Sequence, residues 1–358
     1  MADLFDNPLG TDGFEFVEFT SPDPEVLARY FTQLGFTAVS RHRSKNVVRF
    51  KQADINFILN MEPEGQAADF RTARGPSANA MAFRVRDAAA AYKEAIARGA
   101  EPVDSPIGPM ELDIPAIKGI GGAFIYLVDR YGAQNIYDVD FKPIEGAAEQ
   151  EAANSTGLTY LDHLTHNVFR GKMDVWADYY ERIFNFREIR YFDIEGKVSG
   201  LFSKAMTSPC GKIRIPLNES KGDPGTVDQI EEFLQRYKGE GIQHIAMGSG
   251  DLMATVDELR ARGVALQDTI DTYFDLIDKR LPGHGHDVEA LRKRAILIDG
   301  APSEGQGLLL QIFGKDAVGP IFFEFIQRKG NEGFGEGNFK ALFESRELDQ
   351  IRRGVLTG

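Results

Sequence analysis

GPIFFEFIQRKGNEGFGEGNFKALFE, residues 319–344, is the stretch whose reading decides the fold. Ile321 to Ile326 is apolar and aromatic except for one acid, Glu324, and that composition predicts a strand. Side chains alternate along a strand, so Phe322, Glu324 and Ile326 point one way and Phe323, Phe325 and Gln327 the other. A carboxylate in the middle of such a strand is costly to bury unless something neutralises it. A nearby arginine would do so. A metal ion would also do so, but it needs further ligands from elsewhere in the chain. Past the strand, the glycine-rich turn Gly330 to Gly337 leads into a helix predicted from Asn338 to Arg353. Strand, glycines and helix mimic a nucleotide loop. A dinucleotide fingerprint, however, requires G-x-G-x-x-G within a βαβ unit, and too little chain follows Gly337 to complete one.

A chain of 358 residues is long enough for two domains, each with a core of its own. The net charge of -13 argues against nucleic acid or an anionic membrane surface as partner. No apolar run approaches the roughly 20 residues that a membrane span requires. The start, MADLFDNPLGTDG, is acidic and lacks the basic and apolar regions of a secretory signal. The single cysteine, Cys210, permits no internal disulfide, so a cytoplasmic location is expected.

Hydrophobic alternation predicts strands at 14–20, 36–41, 46–51, 54–60, 81–85, 123–128 and 136–141, with helices at 24–34 and 88–98. Residues 143–157, PIEGAAEQEAANSTG, are small and acidic and read as a linker. Beyond it, strands are expected at 159–168, 187–193, 198–205, 212–217, 243–247, 295–299 and 308–313. Helices are expected at 173–184, 227–238 and 252–262, with helical insertions around 268–281 and 286–294. The division that follows is a domain at 1–152 and a second at 153–358.

The two halves repeat one another. MAFRVRDAAAAYKEAIARGA (81–100) aligns without gaps on IAMGSGDLMATVDELRARGV (245–264), and GGAFIYLVDRYG (121–132) aligns on GPIFFEFIQRKG (319–330). A helix followed by several strands, more than once per half, is a βαβββ pattern, so the fold class is α+β with mixed sheets. Under these pairings Glu324 falls opposite Tyr126 and His244 opposite Ala80. Pairing DHLTHNV (162–168) with EFVEFTS (15–21) puts His163 opposite Phe16. Three ligand-type residues therefore stand where the first half carries Phe, Ala and Tyr. Two imidazoles and one carboxylate form the facial set suited to non-haem iron(II), although imidazole alone also accepts zinc, copper or nickel. His166 lies an odd number of residues from His163, on the other strand face. His42, His284 and His286 stand in polar contexts and are expected at the solvated surface.

HNVFRGKMDVWADYYE, GIQHIAM, LLLQIF and above all FFEFIQRKGNEGFGEGNFKALFE resemble the 4-hydroxyphenylpyruvate dioxygenases, and the resemblance runs nearly end to end. It implies the vicinal-oxygen-chelate fold, in which paired βαβββ units form open, barrel-like sheets; the helix after the glycine hinge, with one apolar and one charged face, is expected to pack over the barrel mouth as a gate. The family ligands fall on His163, His244 and Glu324, for one iron(II) per subunit. The implied partners are a small 2-oxo acid, 4-hydroxyphenylpyruvate, and O2; the implied products are homogentisate and CO2, in tyrosine and phenylalanine catabolism. Positions matching Ser203, Asn218, Gln229, Gln243 and Gln311 supply polar contacts around the substrate. Pro216, Phe313, Phe322, Phe334, Asn338 and Phe339 line its pocket. A homotetramer is expected over a dimer. Hydroxymandelate synthase shares fold, metal and substrate, and Pro216, Asn218 and Phe339 look like the homogentisate-forming type. A metal-free ligand-binding module of the same fold is the alternative from another functional class.

Overall fold

The computed structural model describes residues 2–104, 107–195, 200–223, 225–335, 337–338, 350 and 353–355. The first half runs β1 (Thr11–Thr20), α1 (Pro24–Gln33), β2 (Thr37–His42), β3 (Val47–Gln52), β4 (Ile55–Asn60), α2 (Gln66–Arg74), β5 (Ser77–Val85), α3 (Ala88–Ala97), β6 (Ala116–Lys118), β7 (Phe124–Val128), α4 (Ile136–Asp140), β8 (Phe141–Pro143) and α5 (Ala147–Asn154). The second runs β9 (Leu158–Val168), α6 (Met173–Phe184), β10 (Arg187–Glu195), β11 (Gly200–Thr207), β12 (Arg214–Ser220), α7 (Gln229–Tyr237), β13 (Gly241–Ser249) and α8 (Leu252–Ala261). It continues with α9 (Asp271–Asp275), α10 (Ile277–Arg280), α11 (Val288–Arg294), β14 (Leu297–Gly300), β15 (Leu308–Phe313) and β16 (Phe322–Lys329).

Each half contributes one eight-stranded mixed sheet, ordered β6-β7-β5-β1-β4-β3-β2-β8 and β10-β11-β12-β9-β13-β16-β15-β14. The βαβββ unit is visible in β1-α1-β2-β3-β4, whose first and last strands pair in parallel, and again in β9-α6-β10-β11-β12. Side chains from β1, β3, β4, β7 and β8 line one cavity, although β7 and β8 lie near opposite ends of their sheet, so the sheet is curled. This is the α+β, open-barrel architecture that the βαβββ pattern and the family resemblance predicted.

The cross-strand registers make the repeat explicit. In the first sheet Ala80 pairs with Phe124 and Ala82 with Tyr126; in the second His244 pairs with Phe322 and Ala246 with Glu324. On the neighbouring strand, Phe16 pairs with Ala82 and Glu18 with Ala80, as His163 pairs with Ala246 and Thr165 with His244. Position for position, Phe16, Ala80 and Tyr126 therefore occupy the places of His163, His244 and Glu324.

The reverse faces of the two sheets, with their helices, form one apolar core running through both halves. Phe323, on the opposite face of β16 from Glu324, sits against Phe19, Phe57 and Tyr30 of the first half at 6.4, 5.8 and 5.7 Å between ring centroids. Phe83 meets Phe184 at 5.3 Å. Pairs of this kind add about 0.5–1.5 kcal/mol each beyond the apolar area they bury. The apolar residues on alternate positions of residues 321–326 thus anchor the strand from behind while its acid faces the interior of the second sheet.

Several local expectations are corrected. Residues 136–141 form the short helix α4 followed by β8, not a strand. The Asn135 side chain accepts from the backbone of Tyr137 and Asp138, and the Asp138 side chain accepts from the Asn135 N–H, a capping box that outweighs the alternating Tyr137, Val139 and Phe141. The expected linker holds α5, tied down by a Lys51–Glu151 ion pair at 2.6 Å and by Arg262 donating to the Asn154 carbonyl at 2.6 Å. Helix α2 and strand β6 had no counterpart in the sequence reading. His284, expected in solvent, is buried and bonded to Asp278. Of the expected C-terminal helix, most residues, with Phe339, Leu342, Phe343, Leu348 and Ile351, lie outside the described residues. Gln350 and Arg353 both donate to Glu232 on α7.

Candidate active site

β9, β13 and β16 are neighbours, and their registers set His163, Ala246 and Glu324 in one row across the sheet, with Thr165, His244 and Phe322 in the next. Ala246, with only a methyl group, leaves open the space between the two flanking ligand-type side chains. Glu324 Oε2 lies 3.0 Å from His163 Nε2 and 3.3 Å from His244 Nε2. The three side chains are buried and can offer ligand atoms all within 4.8 Å of one another. Burial raises the Glu324 carboxyl pKa, but the two imidazoles outweigh it and hold the pKa at about 2. The same burial disfavours a charged His163, and Glu324 and Asp162 on either side overcome it and raise its pKa. Two imidazole nitrogens and an ionised carboxylate converging within 4.8 Å are a donor set that suits a divalent cation.

Each donor is held from behind. Asp162 Oδ1 accepts from His163 Nδ1 at 2.8 Å, and Gln243 Oε1 accepts from His244 Nδ1 at 2.9 Å, which turns both Nε2 atoms to the centre, where the Thr165 hydroxyl lies 2.9 Å from His244 Nε2. Gln311 Nε2 donates to Glu324 Oε1 at 2.7 Å. Asp162 is itself gripped by Arg328, whose Nε and Nη2 each lie 2.7 Å from a carboxylate oxygen, and by Arg214 at 3.1 Å. Burial alone would push the Asp162 carboxyl up; Arg328 and its other partners hold it well below the usual range. Arg328 also donates to the carbonyls of Asn331 and Gly333, binding the glycine-rich turn to the same network. Gly335 then packs so closely on Gln311 that a Cβ would collide with the amide, and its φ of 72° is one that glycine adopts without cost. The sequence reading missed Asp162 and Arg328. Two signals pointed to them: an acid beside the histidine in LDHLTH, and an arginine retained at 130 and 328 in the repeat.

The predicted substrate contacts fall into three groups. Ser203, Asn218 and the previously unconsidered Asn167 stand in register on β11, β12 and β9. All three are buried; Ser203 Oγ, Asn218 Oδ1 and both amide atoms of Asn167 have no hydrogen-bond partner among the described residues. Asn167 shares its strand face with His163, about 13 Å further along β9 at ~3.3 Å per residue. Buried polar atoms without partners are rare, so this row is built for something that is not protein. Pro216, two residues from Asn218, shares its face and is buried. Phe313, Phe322 and Phe334 surround the imidazoles: Phe322 stacks on His244 at 4.9 Å, Phe334 meets His163 edge-on at 5.6 Å, and Phe313 lies 6.4 Å from His244. Gln311 and Asn338 form a relay, Asn338 donating to Gln311 at 2.9 Å and accepting from the Tyr273 hydroxyl at 2.7 Å. Gln229 is half-buried at the start of α7 and shares a small pocket with Gln243, Phe322 and Gln350. Phe339 lies outside the described residues. His166 points to the far face, bonded to Tyr180 at 2.7 Å, and burial pushes its pKa down to about 3.

Curled mixed sheets around a buried pair of imidazoles and one carboxylate define a glyoxalase-type dioxygenase fold. Residues 5–142 match the family model "Hydroxyphenylpyruvate dioxygenase, HPPD, N-terminal", and residues 160–276 match the "Glyoxalase/Bleomycin resistance protein/Dioxygenase superfamily". The chain is 60% identical to the 4-hydroxyphenylpyruvate dioxygenase of Pseudomonas aeruginosa, over 98% of this chain and 97% of that one. It is also 60% identical to the hemolysin VllY of Vibrio vulnificus, over 98% of each. A mutant 4-hydroxymandelate synthase from Streptomyces coelicolor superposes with a TM-score of 0.82 at 24% identity, over 95% of this chain and 99% of that one, which is a likeness of fold. The chain belongs to the 4-hydroxyphenylpyruvate dioxygenase family.

Proposed function

We propose that this chain is an iron(II)-dependent 4-hydroxyphenylpyruvate dioxygenase that converts 4-hydroxyphenylpyruvate and O2 to homogentisate and CO2. The observation that carries the reading is the convergence of His163, His244 and Glu324 in a chain 60% identical to a dioxygenase of that name. These three side chains would hold one iron(II) per subunit, leaving positions open for the substrate's 2-oxo acid and for O2; the metal, when bound, supplies dioxygen activation. The chain's own work is to orient and exclude water. Asp162 and Gln243 fix the imidazole rings, and Gln311 fixes the carboxylate, coupling it through Asn338 to the start of the C-terminal segment. Phe313, Phe322 and Phe334 give the substrate ring an apolar wall, with Pro216 beside it. The row Ser203, Asn218 and Asn167 offers its unpaired atoms to the phenol hydroxyl at the end remote from the metal. Gln229 stands on α7 beside Gln243 and Phe322.

The first half, 1–152, then serves as a scaffold and the second, 153–358, carries the chemistry, in a cytoplasmic homotetramer of the tyrosine-degrading route. Among the described residues no helix is long and apolar enough to cross a membrane. Iron(II)-loaded protein given 4-hydroxyphenylpyruvate and oxygen is expected to yield homogentisate, identified by mass and ring-proton NMR. 4-Hydroxymandelate as product would overturn the ring-hydroxylating reading while keeping the metal site; no oxygen uptake by iron-loaded protein would overturn the substrate. Light scattering on the eluted protein decides between tetramer and dimer.

A further inference from the structure

The curl of the first sheet encloses a cavity of ≈ 370 Å³, a size ordinary for a small-molecule pocket. Phe16 and Tyr126, two of the residues that replace the metal ligands, touch one another in its wall at 5.7 Å between ring centroids, and Phe124, Tyr137 and Phe141 extend the aromatic lining. The third replacement, Ala80, pairs with Glu18, which takes the place held in the second half by Thr165. The first half thus lacks ligand side chains at the three metal positions and carries a carboxylate one row away.

That carboxylate is unusual. Glu18 is only 8% exposed, yet it lines the cavity. Asn60 and Asn79 both donate to Oε1, at 3.0 and 2.7 Å, and Oε2 has no hydrogen-bond partner among the described residues. The charges around it are lopsided. Glu62, Glu64, Asp104, Glu111 and Asp140 share the lining with one lysine, Lys45, which pairs with Glu111 at 2.9 Å, while Arg43 reaches Asp140 from outside the lining at 3.3 Å. Burial lowers the pKa of His42, opposed by the nearby Glu111 and Asp140. Such a lining repels carboxylates, including the 2-oxo acid read as the substrate of the second half. Among the described residues the only convergent set of metal-type ligands is the one in the second half, so an inorganic cation has no cage here.

We propose that the cavity of the first half is a second small-molecule site that binds an aromatic amine, its ring against Phe16, Tyr126 and Phe141 and its ammonium group on Glu18 Oε2. An ammonium supplies the hydrogen-bond donor that Oε2 lacks and the charge that the acidic lining calls for, and the ring faces attract cations as well as apolar surface.

The test uses full-length, iron-loaded protein saturated with a slowly turned-over 2-oxo acid analogue to occupy the second half. Calorimetry and ligand-observed NMR are run with 4-hydroxyphenethylamine and with 4-hydroxyphenylacetate, which differ in the sign of the end group. One saturable site per chain for the amine, at least ten-fold weaker binding of the acid, and an amine affinity reduced at least ten-fold in Glu18→Gln are expected. The substitution keeps an oxygen that can accept from Asn60 and Asn79, and turnover of 4-hydroxyphenylpyruvate by the variant is expected to match the unaltered enzyme. Equal binding of acid and amine, no saturable binding of the amine, or amine binding indifferent to Glu18→Gln would each overturn the proposal. The acid–amine comparison needs no variant, so it decides the matter even where Glu18→Gln fails to fold. Turnover is read separately, so this site can fail while the dioxygenase reading stands, and the reverse.

Discussion

The two halves of this molecule share a framework and differ in what they place at its centre. Registers across β5 and β7 match those across β13 and β16 residue by residue, yet one centre holds Phe16, Ala80 and Tyr126 and the other His163, His244 and Glu324. The sheet supplies positions, and three side chains decide whether those positions can hold a cation. What three substitutions cannot supply is the outer support: Asp162 with Arg328 and Arg214, Gln243 and Gln311. The sharpest break of the comparison is to give the second half the first half's residue. His244→Ala, matching Ala80, is expected to reduce turnover to background and iron content to a small fraction of one per chain, measured by elemental analysis, with little change in circular dichroism. Retention of iron and activity would mean that the metal sits elsewhere.

The halves also depend on each other, because β16 faces the site with one side and the first half with the other. Phe323→Ala removes a fully buried ring that touches Phe19, Phe57 and Tyr30 across the boundary. A loss of about 3–5 kcal/mol in unfolding free energy is expected. It should appear in one cooperative transition for both halves, followed by denaturant titration with tryptophan fluorescence and far-ultraviolet dichroism together. Two separated transitions, with only the second half weakened, would show that each half holds its own stability.

The outer support is tested next. Asp162→Asn keeps size and shape but weakens the grip on the His163 ring, and losses at such positions run to about 10–100-fold in metal affinity or activity. Iron affinity is expected to fall by that amount, with restoration of turnover at high iron. A fall in turnover that excess iron does not restore would place the role of Asp162 in the chemistry and not in holding the imidazole.

What could be read from the sequence was local or repeated. Alternation alone set Glu324 apart from Phe323; two fixed offsets brought out His244 and Glu324, and a third pairing, of 162–168 on 15–21, brought out His163. The contacts that finish the site were not legible, because they join residues far apart in the chain: Asp162 meets Arg328, and Gln243 turns to the ring of its neighbour instead of simply facing outward from the strand. Helix α4 was missed because Tyr137, Val139 and Phe141 alternate as in a strand, while the Asn135–Asp138 capping box, a weaker signal in sequence, decides the local structure. Helix α2 starts at Gly65 with no side-chain cap to announce it.

The smallest effect concerns the carboxylate that distinguishes the first centre. Burial raises the Glu18 pKa above its ordinary 4.5, opposed by the Asn79 and Asn60 amides and by Lys45. Between 4.5 and that raised value the folded chain holds a proton that the unfolded chain has already lost, so stability falls as pH rises through this window and stays lower above it. Glutamine carries no such charge. The melting temperature of Glu18→Gln relative to the unaltered chain is therefore expected to be more favourable at pH 8 than at pH 4, by a few degrees at most. A difference independent of pH would mean that Glu18 titrates in the folded chain as it does in the unfolded one, and that its cavity is wet enough to solvate the charge. An ammonium bound on Oε2 should abolish the same difference, since a paired carboxylate no longer carries the cost of burial. The pH dependence of one variant, with and without 4-hydroxyphenethylamine, thus reports whether the first half's cavity is an unused relic of the repeat or a site with its own charge preference.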